Sequence, residues 1–551
     1  MQNIKTLINT SRGGGMYKLL TSAIFLFLLI FTLTIFTGCG TVVKRTIATR
    51  AGSEERLPLI KDTFIFKINS GEDKTFILPT HWVGFNEIDG NYGAYYNWKI
   101  DWGDGKEDIC SGISDMWSGD NKHTYDNANT EYIITIRPNG PAEEDWLQAF
   151  GFPFRGEVLS FHNVKLKELL SAFPENSKSH FGGAFFGCGE LTGIIRGLFD
   201  GVRHIPVPEM FAYAFFGCGS LTGSIPTDLF SGINGEVTEG MFDSTFSGGG
   251  FTGSIPAGLF KGITGAPTHR MFGETFAYTN LTGSIPADLF SGISGAPAES
   301  MFGGTFCACS SLTGSIPANL FSGIDGAPAE YMFAATFSGC GSLTGSIPAG
   351  LFSGINGAPE IAMFYNTFCA CNSLTGSIPA NLFSGIDGTP KQWMFTLTFA
   401  GCSNLTGKIP AGLFGNISGD TVEELFIGTF AGCSNLTGEI PARLFGNLSG
   451  TPKSRMFKST FEGCSGLTGI HEELFGNING NGPVEFLMFD STFKDCSGLR
   501  GPSAKIIVAG EYKYLYEAWE NPMFHSSNAA SGCYAGATGL DDYDEIPPAW
   551  K

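Results

Sequence analysis

The sequence predicts a repeat solenoid of 30–31-residue units, each with one short strand and short helical turns, preceded by a small all-β domain. Three observations carry this. Leu-Thr-Gly or its equivalent begins at Leu191, Leu221, Phe251, Leu281, Leu312, Leu343, Leu374, Leu405, Leu436 and Leu467, and returns as Leu-Arg-Gly at Leu499. The composition is aromatic and glycine-rich, with 50 Phe and 77 Gly among 551 residues, which suits a packed spine joined by tight turns. Residues 58–140 instead alternate apolar and polar side chains, the period of half-buried strands.

The chain opens on Leu19 to Phe36, eighteen residues without a charge, preceded by Lys18 and followed by Thr37-Gly38-Cys39. A basic flank, an apolar run and small residues describe an export signal. Phe36-Thr37-Gly38-Cys39 resembles the lipobox of bacterial lipoproteins, which implies cleavage before Cys39 and acylation of its thiol. The competing reading is an uncleaved anchor, since the run sits at the short end for spanning a bilayer. The expected layout is then a signal at 1–38, a linker at 39–57, a β-domain at 58–140, a connector and N-cap at 141–184, a solenoid of about ten units at 185–500 and a C-terminal cap at 501–551.

Strands are expected at Thr63–Ile68, Thr75–Leu78, Trp98–Trp102 and Tyr132–Ile136, with an Asp104-Gly105 hairpin turn. About six such strands suggest a small sandwich. Trp102-Gly103-Asp104-Gly105, then His123-Thr124-Tyr125 and the closing Tyr132–Ile136 strand, resemble the PKD domain. That resemblance implies a spacer or binding module. Asp101 and Asp104 fit either a Ca²⁺ site or a turn stabilised by their own carboxylates, and two acids fall well short of the roughly 6–8 oxygens Ca²⁺ takes.

In each unit Leu-Thr-Gly-Ser-Ile reads as a strand with Leu and Ile inward, stopped by Pro. Ala-x-Leu-Phe-Ser-Gly-Ile gives one apolar turn. Met-Phe-x-x-Thr-Phe places apolar groups at i, i+1, i+4 and i+5, one side of a short helix. No unit buries its three Phe alone, so stacking must do it. The stretch Thr336-Phe337-Ser338-Gly339-Cys340-Gly341-Ser342-Leu343 through Ile347-Pro348 resembles the leucine-rich repeats of BspA-type bacterial surface proteins. The resemblance implies a lipid-anchored cell-surface protein, on the outer membrane or envelope of a bacterium, that binds a protein or glycan on a host or neighbouring cell and carries no catalytic residues.

A Cys precedes the Leu by three residues in nine units, with Gly248 and Tyr278 in its place in two, which fits a ladder of buried free thiols better than a disulfide framework. Cys307-Ala308-Cys309 and Cys369-Ala370-Cys371 have metal-like spacing but lie two units, about 10 Å, apart. No metal or cofactor is expected. The chain has 33 Lys+Arg against 52 Asp+Glu, and without residues 1–38 a formal −22, which disfavours nucleic acid as partner.

The residues before Met-Phe vary most from unit to unit, and variation on a rigid frame is what a binding surface needs. Tyr331, Trp393, Arg270 and Arg455 are the candidate exposed anchors. An accessory-bearing hydrolase of glycans or proteins is the alternative, although no paired carboxylates or nucleophile with its base stand out. A third reading takes the Thr/Ser ladder, Thr313, Thr344 and Thr375 with Ser315, Ser346 and Ser377, as a surface-matching array, against simple packing of the ladder.

Overall fold

The structure is a computed structural model that describes residues 56–80, 95–113, 121–151, 165–193, 195–518 and 529–551. The signal segment, Cys39 and most of the linker lie outside the described residues. The last two linker residues do not: Arg56 pairs with Asp200 at 2.6 Å and Asp228 at 2.7 Å, and the Leu57 amide donates to the Arg196 carbonyl.

Seven strands open the described chain: β1 (Phe64–Asn69), β2 (Thr75–Ile77), β3 (Tyr95–Asp101), β4 (Glu107–Ile113), β5 (Lys122–Thr124), β6 (Glu131–Pro138) and β7 (Leu166–Leu169). They make an antiparallel sheet ordered β4-β3-β6-β1-β7 and a separate β2-β5 pair. Alternation buries Phe64, Phe66 and Ile68 on β1 and Trp98 and Ile100 on β3. The β3–β4 hairpin turns through Gly103 and Gly105, both at positive φ. A side chain at Gly103 would also sit 2.5 Å from the Ile133 carbonyl, so this position is restricted twice over.

The sheet does not end at residue 140. Its fifth strand, β7, pairs antiparallel with β1 and is bridged in parallel to Thr192, the first rung of the repeat region. Phe173 stacks on Phe64 at 4.7 Å and reaches Phe181 at 5.0 Å and Phe199 at 5.9 Å, so sheet and repeats share one core. Within 141–184, expected as a connector and N-cap, the described residues 165–184 include β7, a strand of the sheet. Residues 165–184 complete the sheet and meet the first unit, because the open end of a stack of units needs its apolar face covered.

Successive units are joined in parallel, one unit apart in sequence. One ladder runs through the Leu-Thr-Gly segment, as Gly283 to Leu312, Gly407 to Leu436 and the pair β11 (Gly438–Ile440) with β13 (Leu467–Ile470). A second follows the buried Ile of Ser-Gly-Ile, as Gly326 to Ile355 and Gly357 to Ile386. It includes the short strands β8 (Gly235–Glu236) and β9 (Ile263–Thr264) and widens into the strands β10 (Ser418–Asp420), β12 (Asn447–Gly450) and β14 (Asn477–Ile478). Two ladders per unit replace the single strand expected. Three Phe per unit form columns of near-parallel rings: Phe302 on Phe333 at 6.0 Å, Phe306 on Phe337 at 5.7 Å and Phe321 on Phe352 at 6.3 Å.

The helix expected at Met-Phe-x-x-Thr-Phe is absent, and no α-helix occurs among the described residues. Consecutive turns take its place. In residues 329–340 the amides of Ala334, Thr336, Ser338 and Cys340 each bond three residues back. Those of Tyr331, Phe333, Ala335, Phe337 and Gly339 instead donate to the next unit, to Ile361, Met363, Tyr365, Thr367 and Cys369. Every fourth residue (Tyr331, Ala335, Gly339) is left-handed. An apolar pattern at i, i+1, i+4 and i+5 repeats every four residues as well as it approximates 3.6. Spending alternate amides on the neighbouring unit, where a helix would close i to i−4 bonds, selects the four-residue form.

Thr and Cys complete the arrangement from their side chains. Thr336 Oγ1 donates to the Phe302 carbonyl at 3.0 Å, and Cys340 Sγ to the Phe306 carbonyl at 3.0 Å, each one unit back. The same bonds recur at Thr367, Thr429 and Thr460 and at Cys371, Cys433 and Cys464. These thiols are free and fully buried, and burial pushes them well above the ordinary thiol range.

The C-terminal region closes the far end. A hairpin of β15 (Lys505–Val508) and β16 (Glu511–Tyr514) extends the second ladder through Asn479 and Ile507. Residues 529–535 then supply carbonyls to Phe489, Ser491, Phe493 and Asp495, and Tyr534 stacks on Phe493 at 5.3 Å.

Candidate functional site

Arg270, Tyr331, Trp393 and Arg455 occupy one equivalent position, the first left-handed residue of the turn run, with φ between 50° and 61°. Ser300, Ala362 and Glu424 fill the same position in the intervening units. The backbone therefore lines up in one column residues that change from each unit to the next. All four candidates are half-buried, not exposed.

The structure divides the four. Trp393 and Arg455 are brought together by Glu424, which sequence reading did not single out. The Trp393 indole N–H donates to Glu424 Oε2, Gln392 Nε2 donates to the same oxygen at 3.1 Å, and Arg455 Nη1 donates to Oε1 at 2.6 Å. Arg455 also lies 5.2 Å from the centroid of Phe486, an exposed ring one unit further on. Tyr365, in the unit between Tyr331 and Trp393, is half-buried within electrostatic reach of Glu424. Burial raises its hydroxyl's pKa, and Glu424 adds to the rise. The result is a ridge of rings and paired charges crossing successive units from Tyr331 to Phe486. A carboxylate accepting from an indole, an amide and a guanidinium fixes those groups before any ligand arrives, which lowers the ordering cost of binding.

Arg270 lies elsewhere. Its Nε and Nη2 donate to Asp243 at 2.7 and 3.1 Å. Burial of Arg270 opposes its charge, but Asp243 outweighs that and raises its pKa. Burial followed by Asp243 and Glu239 raises Glu209, and Glu274 is raised by burial against the pull of Arg270. This end of the column is an acid-rich ion-pair group, and His269 joins it between Glu239 at 3.1 Å and Glu299 at 3.9 Å.

Glu424 and Phe486 escaped the sequence reading because both sit where the repeat is irregular. Leu425 replaces Met after Glu424, and Phe486 lies in the 32-residue unit. Tyr365 follows Met363-Phe364 in register, and a column-by-column alignment of the units finds it.

In the sheet region, Asp101 Oδ1 accepts from the Gly103 amide at 2.9 Å and Asp104 Oδ1 from the Lys106 amide at 3.1 Å, the turn-stabilising geometry. Asp104 Oδ2 is 2.9 Å from His123 Nε2, and His123 stacks on Trp102 at 4.7 Å. Burial opposes ionisation of Asp104, but His123 and the Lys106 amide outweigh it and hold its pKa low. Among the described residues no group of three or more His, Cys, Asp or Glu is placed to hold a metal ion. Comparison of the chain with known protein families and with curated proteins finds no match.

Proposed function

We propose that the chain is a surface lipoprotein, tethered outside the cytoplasm through Cys39, whose stacked units form a solenoid that acts as a non-enzymatic adhesion module. The single observation that supports it is the column described above. One rigid backbone position carries Tyr331, Trp393, Glu424 and Arg455 on nearby units, with three donors converging on Glu424. Trp, Tyr and Arg are the residues that dominate interface hot spots, so the ridge favours a protein partner on a host or neighbouring cell. The β-rich N-terminal region is the spacer that carries the stack away from the membrane.

The test is capture of proteins on an array of extracellular and host-matrix proteins by the full-length chain. Binding that Trp393→Ala or Glu424→Ala weakens at least tenfold, with the fold intact by circular dichroism, is expected. Binding indifferent to both substitutions would overturn the reading. For the tether, Cys39→Ala is expected to abolish acyl labelling and leave an unprocessed precursor, and labelling that survives the substitution refutes the lipobox.

A further inference from the structure

A sheet that is not closed into a barrel has two edge strands, and each presents a row of main-chain groups that a further strand can pair. The five-stranded sheet treats its two edges differently. β7 has four residues, carries Lys167 and Glu168, shifts register against β1 between Lys67 and Ile68, and is bridged onward to Thr192. Shortness, charge, irregularity and a covering neighbour all blunt an edge. β16, the outer strand of the C-terminal hairpin, is likewise four residues long and carries Glu511 and Lys513.

β4 has none of these devices beyond its first two residues. It runs for seven residues, Glu107–Ile113, and pairs β3 without a register shift. Among the described residues it has a strand on one side only. The direction of its main-chain groups follows from the hairpin. The Trp102 amide donates to the Lys106 carbonyl at 3.1 Å, so these two residues are a hydrogen-bonded pair. By alternation Asp108, Cys110 and Gly112 turn their amides and carbonyls toward β3, while Glu107, Ile109, Ser111 and Ile113 turn theirs outward. On the other side of β3 the Asn139 amide donates to the Asn97 carbonyl, which is the complementary phase. Among the described residues no hydrogen bond reaches the outward groups of Glu107, Ile109 or Ser111. The side chains leave the edge open as well. From Glu107 to Gly112 all are exposed except the half-buried Cys110, and Ile109 is 63% exposed.

Unpaired amides and carbonyls at alternate residues match another strand. The charge pattern of β4 selects which strand. Its two acids, Glu107 and Asp108, lie at one end, and Ile109-Cys110-Ser111-Gly112-Ile113 follows without a charge or a proline. A second β4 laid antiparallel about a two-fold axis at Cys110 sets Glu107 opposite Ile113, Asp108 opposite Gly112 and Ile109 opposite Ser111. Every acid then faces an uncharged residue, and every outward residue is paired over the full length of the strand. Parallel pairing in register would set acid against acid, and like charges directly opposite are destabilising. Glu107 also brings little free charge to the seam, because Lys99 of its own sheet lies 2.7 Å away. A strand that is its own antiparallel complement is what an isologous interface requires.

We infer that two copies of the chain pair through β4 into a two-fold dimer, joining two five-stranded sheets into one of ten strands. The dimer does not depend on what the Tyr331–Phe486 ridge binds, and it doubles the ridges offered to any partner. The experiment follows the full-length chain in detergent by light scattering and by hydrogen exchange across a wide range of concentration. A dimer is expected, with the amides of Glu107, Ile109 and Ser111 becoming protected as concentration rises. Ser111→Pro removes one seam bond from each strand and is expected to weaken dimerisation at least about tenfold. Proline is tolerated on an edge strand where its nitrogen faces outward, so the protomer is expected to keep its circular dichroism. Ser111→Ala keeps the amide and is expected to dimerise within about threefold of the unmodified chain. A monomer at every concentration overturns the inference, as does equal dimerisation by the proline and alanine variants. A dimer in which exchange at residues 107–113 ignores dilution overturns it too, since the copies would then meet through another surface. Protection of these amides in a monomer would assign the edge to another segment of the same chain and overturns it equally.

Discussion

The N-terminal sheet and the stacked units bury the same kinds of side chain but secure their backbones differently. In the sheet, β3 and β4 are paired along seven consecutive positions, Tyr95 with Ile113 through Asp101 with Glu107, and the backbone alone fixes the register. In the middle units a ladder is often a single bridged residue, such as Gly295 with Ile324. There the register depends on side chains: stacked Phe rings, and Thr and Cys donors aimed at the carbonyls of the preceding unit. Polar side chains inside the stack are therefore structural parts that hold the register.

The largest expected effect tests whether the two regions are one cooperative body. Phe173 touches rings of both, and truncating a buried Phe typically costs about 3–5 kcal/mol. Phe173→Ala is expected to raise hydrogen exchange in β1 and in the units near Phe199 together. Phe337→Ala, of similar size, is expected to loosen residues 312–374 and leave the sheet untouched. Protection in β1 that survives Phe173→Ala would break the shared-core description.

Lys178, at the junction, gives a pH test. It is fully buried, donates to the Gln148 carbonyl at 2.7 Å, and burial lowers its pKa to about 7 against the opposing pull of Asp145. The unfolded chain binds this proton more tightly, so the destabilisation is complete at pH 7 and below and fades as pH rises toward about 10.5, the free-lysine value. Lys178→Met is expected to stabilise the junction at pH 7 by a few kcal/mol and to flatten that part of the curve. Denaturant titrations at pH 7 and pH 9.5 measure it, and an unchanged slope would count against a neutral amine in the fold.

Side-chain register comes next. Thr336→Val removes the hydroxyl bond that joins one unit to the next at the Phe302 carbonyl, which Thr305 of its own unit also serves, at a cost of about 0.5–1.5 kcal/mol. Thr344→Val, at an exposed hydroxyl without a partner, is expected to change stability by less than about 0.5 kcal/mol. Equal effects from the two would mean that Thr336 does not hold the register. Smallest of all, Glu330→Ala in the variable column is expected to stay within about 0.5 kcal/mol by thermal denaturation.

Much of this was legible in the sequence, for a physical reason. Repetition averages away local ambiguity, so Leu343, Ile347 and Phe337 declare themselves as core by recurring. The strand at Trp98–Trp102 was visible because alternation is a local signal, and it extends back to Tyr95 in the structure. The turn run was hidden. Ala335 and Leu397 are left-handed, and neither residue type advertises that conformation; it is imposed by the neighbouring unit's carbonyls. Strand β7 was hidden too, because Leu-Lys-Glu-Leu is too short to show a period. In the candidate site, Trp393 and Arg455 stood out by type and place, while the carboxylate that joins them depends on a contact 31 residues away in sequence.

The near-identical contacts between middle units have a consequence at the level of the gene. A tandem repeat in DNA gains or loses copies by unequal recombination, and for most folds an in-frame insertion of that size disrupts the core. Here a unit inserted between Leu312 and Leu405 meets above and below it the same rings, the same Thr and Cys acceptors and the same glycine clearances. The sheet at one end and residues 529–551 at the other never register the change. Copy number is thus free to drift under selection for reach, and each duplication also enlarges the variable column by one step.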